Sequence, residues 1–240
     1  MAKALDDTTA LTLWKQAMTA IGIGKDRSLY ARISAIVSEV ESDIYKSNRS
    51  ALIEISERAM GIAGGGQKAD QGTAMHKFTD ILDSGSWPKY VLPELVGLLR
   101  EYQASTAALE VADIEVFVVV DELRAGGSLD RLVRLPDGRL LVADIKTGAN
   151  EPAYPLGVTT QCAMYAHGQR YDPDTGLRTP LHPDVDLSTG LLIHLPLEPV
   201  GGRHRCDLYA LDLEWGWETA QTARKVRKLR RIPKLKELQL

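Results

Sequence analysis

The stretch GGSLDRLVRLPDGRLLVADIKTG, Gly126 to Gly148, sets Asp130, Asp144 and Lys146 inside runs that otherwise read as core. Leu135-Pro136-Asp137-Gly138-Arg139 is a strong turn signal, because Pro presets φ and Gly accepts the left-handed position of a bulged hairpin. If Leu135 pairs with Arg139, antiparallel register sets Asp130 opposite Asp144, with Cβ atoms about 5 Å apart. Side-chain alternation then gathers Asp130, Asp144 and Lys146 on one face and sends Leu141, Ala143 and Ile145 to the other. Two facing carboxylates on a half-buried sheet destabilise it unless a cation lies between them or a proton neutralises one. A hard divalent ion, Mg²⁺ or Mn²⁺, answers that need, since carboxylate oxygens are its preferred ligands. Lys146 would then stand where an amine can orient or help deprotonate a metal-bound water and stabilise charge on a phosphate in the transition state. The plainer alternative is a surface ion-pair cluster on an exposed hairpin, against which the apolar neighbours Leu141, Val142 and Ile145 weigh.

Further pieces follow in order around this hairpin: GTAMH ending in His76, GSLD ending in Asp130, DIK from Asp144 to Lys146, and QCAMY with Gln161 and Tyr165. The ordered set resembles the PD-(D/E)XK nuclease superfamily, and more narrowly its RecB-like exonuclease branch with CRISPR-associated and bacteriophage members. The resemblance spans residues 72 to 165. The N-terminal LWKQAMTAIGIGK also looks like phage-encoded members. It implies a restriction-endonuclease-like core that hydrolyses DNA phosphodiester bonds with one or two Mg²⁺ or Mn²⁺ ions. It further implies that His76, Asp130, Asp144 and the carbonyl of Ile145 hold metal, and that Lys146 serves the attacking water. Gln161 and Tyr165, one helical turn apart, would contact DNA or brace the site; core-edge packing is their alternative. Glu115 lies on the preceding strand, where related nucleases place another acid, and is a further catalytic candidate.

The resemblance also implies DNA ends or single strands as substrate, in recombination or replication beside a strand-annealing recombinase. Several relatives carry four cysteines for an iron–sulfur cluster. This chain has two, Cys162 and Cys206, so no such cluster is expected. Leu129, rather than Pro, precedes the first acid. Two readings from other classes stand beside the nuclease: a DNA-binding or interaction module whose chemistry is dispensable, and a metal-dependent hydrolase of small phosphates.

The elements that must position these residues follow from periodicity. From about Leu11 to Met60 apolar residues recur at helical spacing, giving a helical N-terminal region over residues 1–66. Gly61 to Gly66 reads as a flexible joint and not as a phosphate-binding loop, since Gln67 stands where Lys is needed. The nuclease core is expected over 67–240. It should hold helices at Gln67–Leu82 and Lys89–Thr106 and strands at DIEVFVVVDEL, SLDRLVRL and RLLVADIK. A helix at Thr159–Arg170, two strands at LLIHLPL and HRCDLYALDL, and a helix from about Trp215 to Arg231 complete it. Helices, a three-strand meander, a helix and more strands describe an α/β fold with a mixed sheet flanked by helices.

Residues 221 to 240 carry a local balance of +7 against a net charge of −3, so the other 220 residues sum to −10. The last helix places Ala223, Val226 and Leu229 or Arg230 on an apolar stripe, leaving Arg224, Lys225, Arg227, Lys228 and Arg231 for phosphates. A solvated helix end is the alternative. With 44% apolar residues, no run of about 18 of them and no signal-peptide pattern, a cytoplasmic protein with no membrane partner is expected.

Overall fold

In the computed structural model, residues 5, 8–38, 43–148, 155–199, 201–234 and 236–237 are described. The chain divides into two compact units, Asp7–Thr73 and one that takes in Ala74–Leu240.

The smaller unit resolves the long N-terminal helical pattern into α1 (Thr9–Lys25), α2 (Arg27–Val37) and α3 (Ile44–Ile62); residues 39–42 of that pattern lie outside the described residues. Asp26 breaks α1 from α2 and caps the latter, accepting the Ser28 and Leu29 N–H groups. Leu29, Ile55 and Ala59 form its small core. α4 (Gln67–Asp83) contains the point at which the two units divide.

In the larger unit α5 spans Pro93–Thr106, four residues shorter at its start than expected from Lys89. Pro93 opens it, because the ring fixes a helical φ and its missing N–H is one the first turn leaves unpaired anyway. β1 (Glu110–Val120), β2 (Ala125–Arg134) and β3 (Leu140–Lys146) follow as an antiparallel meander. The turn has the anticipated chemistry: Gly138 sits at φ +91 and the Leu135 N–H donates to the Arg139 carbonyl. The register follows, with Arg131 opposite Ala143 and Leu132 opposite Val142.

α6 (Leu156–Ala166) ends before the expected Arg170. The segment beyond it, β4 (Gln169–Tyr171), pairs with β1, and β5 (Arg178–Pro180) pairs with β4. Neither three-residue strand carries enough pattern to be read from sequence. β6 (Thr189–His194) lies parallel to β3, β7 (Asp207–Asp212) is antiparallel to β6, and α7 (Leu213–Leu229) follows. The result is a mixed seven-stranded sheet in the order β5-β4-β1-β2-β3-β6-β7, flanked by helices.

Two cores cover the two faces of the sheet. Val133, Leu141, Ala143 and Ile145 pack with α4 and α5 residues Met75, Leu82, Leu98 and Leu99. Leu129, Leu132, Leu140 and Val142 pack with Val158, Cys162 and Ala163 of α6. Leu129 and Leu132 share a core although three residues apart, so strict alternation breaks between them. The break falls at the candidate ligand Asp130 and its neighbour Arg131. Among the described residues, no helix is long and apolar enough to cross a membrane.

Candidate functional site

The irregularity in β2 faces one in β1. Glu115 sits between the register pairs Ile114↔Arg131 and Val116↔Leu129, opposite Asp130, and holds φ +53. A non-glycine residue in that conformation costs about 1–2 kcal/mol, so its surroundings must hold it there. His76 of α4 completes the group. One ligand atom each from His76, Glu115 and Asp130 lies within 4.8 Å of the others, with His76 Nδ1 3.5 Å from Asp130 Oδ2. Burial raises the Glu115 carboxyl above its ordinary pKa, and the Asp130 and Asp80 charges add to the shift. Two carboxylates and an imidazole form an oxygen-rich donor set that suits Mn²⁺ or Mg²⁺ better than a soft metal.

Asp130 has a second task. Its Oδ2 accepts the backbone N–H of Ile145 at 2.8 Å, joining β2 to β3 one step beyond their last paired residues. The carboxylate therefore serves the sheet as well as the cluster. Ile145 is fully buried, and its N–H reaches the site through this bond.

Asp144 stands outside the His76–Glu115–Asp130 group, while Glu115, the lesser candidate from sequence, stands inside it. The Asp144 carboxylate is almost wholly buried and its Oδ2 lies 2.6 Å from Lys146 Nζ. Burial pushes Asp144 up to about 6 despite the opposing pull of Lys146, and the Asp130 charge pushes the same way. Desolvation works against the Lys146 charge, but Asp144 overcomes it and the ammonium is held above its ordinary pKa. Lys146 is thus a cation at neutral pH, suited to holding a phosphate or a nucleophile rather than to taking a proton.

On α6, the Gln161 amide donates to the Tyr165 hydroxyl at 3.2 Å. That hydroxyl lies against Gly127 of β2, where a Cβ would come within 2.5 Å of it, so a larger residue there would displace the tyrosine. Gln161 and Tyr165 therefore brace each other over β2, three residues from Asp130. Arg224, Lys225, Arg227, Lys228 and Arg231 are exposed on the end of α7 and beyond it. Leu229 is 77% exposed, so the apolar stripe ends at half-buried Val226 rather than reaching Leu229.

Sequence reasoning missed Arg131. Its side chain is fully buried and donates from Nε to Asp83 at 2.6 Å, from Nη2 to Thr79 at 3.0 Å and from Nη1 to the Asp130 carbonyl at 2.7 Å. Asp80 completes the shell 2.7 Å from Nη2. Tyr102 of α5 donates its hydroxyl to Asp83. Arg131 thereby ties the α4 segment bearing His76 to the strand bearing Asp130. The signal available in sequence was an arginine at a core-facing position of a strand, with Thr79, Asp80 and Asp83 on one side of the preceding helix.

His194 was also missed. It lies beside Lys146 in the β3–β6 pairing, is buried, and places Nε2 2.9 Å from the Gly148 carbonyl. It thus holds the chain where it leaves the DIK segment. No family model and no curated protein matches this chain.

Proposed function

We propose that the protein is a metal-dependent deoxyribonuclease that hydrolyses phosphodiester bonds as an exonuclease. The observation that carries the reading is the convergence of His76, Glu115 and Asp130 within 4.8 Å, in a sheet that also pairs Asp144 with Lys146 at 2.6 Å. Three acids, an imidazole and one amine so arranged are costly unless a metal cation or a polyanionic guest uses them. The PD-(D/E)XK, RecB-like resemblance of the ordered motifs supports the same reading.

His76, Glu115 and Asp130 would hold Mg²⁺ or Mn²⁺, with Asp144 and the Ile145 carbonyl as further ligands. When bound, such an ion supplies Lewis acidity to the scissile phosphate. Lys146, kept charged by Asp144, contributes the cation that holds the phosphate and its nucleophile in place. Gln161 and Tyr165 position the strand from the α6 side. Arg131 fixes the distance between α4 and β2 on which the cluster depends.

The test is degradation of end-labelled single-stranded, blunt and nicked DNA with Mg²⁺, Mn²⁺ or chelator. Release of nucleotides from ends with either metal, and none with chelator, is expected. Binding without cleavage under all conditions refutes the enzyme in favour of a DNA-binding module, and turnover of small phosphate esters alone refutes DNA as substrate.

A further inference from the structure

Among the described residues, two non-glycine residues have positive φ. One is Glu115 in the carboxylate cluster. The other is Arg124, at φ +48, in the corner between β1 and β2. Backbone strain held at a residue with a functional side chain points to a use for that side chain.

Arg124 lines a groove of about 730 Å³ with Leu123 and, from α7 and the turn after it, Arg224, Lys225, Arg227, Lys228, Arg230 and Arg231. Seven of its eight lining residues are cationic, five of them arginines. Glu122 stands at the rim, 3.9 Å from Arg224. α7 is anchored beneath by buried Thr219, Ala220 and Ala223, so its charged end is held in place against the corner. A rigid concave surface of arginine forks matches phosphate oxygens in geometry as well as in charge.

The groove also has a defined place relative to the cluster. Arg124 immediately precedes β2, Gly127 of β2 meets the Tyr165 hydroxyl, and Asp130 lies six residues after Arg124. At about 3.3 Å per residue the two ends of this line are roughly 20 Å apart. Double-helical DNA advances 3.4 Å per residue of each strand, so about six base pairs span the interval.

We propose that this groove binds the phosphate backbone of nucleic acid about six base pairs from the carboxylate cluster. β2 sets that spacing, and the groove gives the protein a footprint longer than its reaction centre. The spacing rests on the nuclease reading above; backbone binding by the groove does not. Leu229 and Ile232 are exposed beside the cations, so an anionic lipid surface is the competing occupant. Two exposed apolar side chains offer little to insert, because the apolar stripe of α7 is already used against the protein.

The experiment compares wild type with Arg124→Ala/Arg227→Ala/Lys228→Ala in EDTA, so that binding is read without cleavage. The ligands are labelled DNA hairpins with stems of 4 to 20 base pairs, and vesicles of phosphatidylcholine with phosphatidylserine. Thermal melting checks that the variant folds, and Arg124→Ala alone repeats the comparison if the triple variant does not. On long stems the variant should bind at least about 10-fold more weakly, with a log affinity against log salt slope shallower by about three. With Mn²⁺ in place of EDTA, the variant should lose cleavage on stems longer than about six base pairs and match wild type on shorter ones, which reach the cluster but not the groove. Equal affinity and slope on long stems overturn the proposal, as does vesicle binding without DNA binding. A wild type that binds DNA through the groove but releases no nucleotides with Mn²⁺ refutes the nuclease reading and leaves the groove standing.

Discussion

The Asp130 carboxylate accepts the Ile145 backbone N–H, so one oxygen of a candidate metal ligand also closes the ladder between β2 and β3. The two roles separate by substitution. Asp130→Asn keeps an acceptor for that N–H and removes the charge; its stability should stay within about 1 kcal/mol of wild type while Mn²⁺ affinity collapses. Asp130→Ala leaves a buried N–H unpaired and should cost about 1–3 kcal/mol as well. Urea denaturation and manganese titration calorimetry on both variants check this; equal stability of the two would remove the structural role.

Glu115 at φ +53 predicts a trade of stability against function. Glu115→Gly relieves backbone strain and one like charge, and should raise stability by about 1 kcal/mol, whereas Glu115→Ala keeps the strain and should gain less. Both should lose Mn²⁺ affinity. A glycine variant less stable than the alanine variant contradicts the strain assignment.

Arg131 has no exposure and donates to Asp83 and Thr79 of α4 and to the Asp130 carbonyl of its own strand. Removing it strands Asp83, whose side chain is 7% exposed. Arg131→Ala should therefore lower stability by about 3–5 kcal/mol, among the largest single losses in the chain. The chemical denaturation midpoint reads it directly, and a loss under about 1 kcal/mol would show that the network relaxes.

Lys146→Ala should cut cleavage by at least about 100-fold while manganese binding persists, because His76, Glu115 and Asp130 are untouched. Cleavage at wild-type rate in this variant ends the role assigned to the amine. Nucleotide release from labelled ends, paired with titration calorimetry, makes the comparison.

Burial pushes the Cys206 thiol up to about 12 from its ordinary 9.0, and raises Cys162 well above its own. The folded chain keeps protons that the unfolded chain loses between about pH 9 and 12. Stability contributed by the neutral thiols is therefore full below pH 9 and falls as pH rises through that window. Cys162→Ala/Cys206→Ala should flatten the alkaline limb of a urea-midpoint against pH curve. A thiol reagent at pH 8 should label neither cysteine until the chain unfolds.

The meander was legible because its cues are local: Pro136 and Gly138 fix the turn, and the turn fixes the register. His76, Asp130, Asp144 and Lys146 could be placed in order from their motifs. What the alternation rule could not supply is the kink at Asp130 and Glu115, where the strands depart from the rule itself. Hence Glu115 joins His76 and Asp130 in the close group, while Asp144, which the resemblance implied beside them, pairs with Lys146. Arg131 escaped notice because its partners Thr79, Asp80 and Asp83 lie some fifty residues away on a helix. The β4–β5 edge and the parallel β3–β6 pairing are likewise set by contacts distant in sequence.

The sheet's order has a kinetic corollary. Glu115, Asp130, Asp144 and Lys146 all belong to the sequential antiparallel strands β1 to β3, whereas β3 must wait for β6 across a long chain closure. Near-neighbour strands meet first, so the acids are pressed together before the parallel half of the sheet is there to support them. Ionic strength should accordingly speed refolding more than it slows unfolding: the electrostatic toll of the reaction centre falls on the way in to the native state.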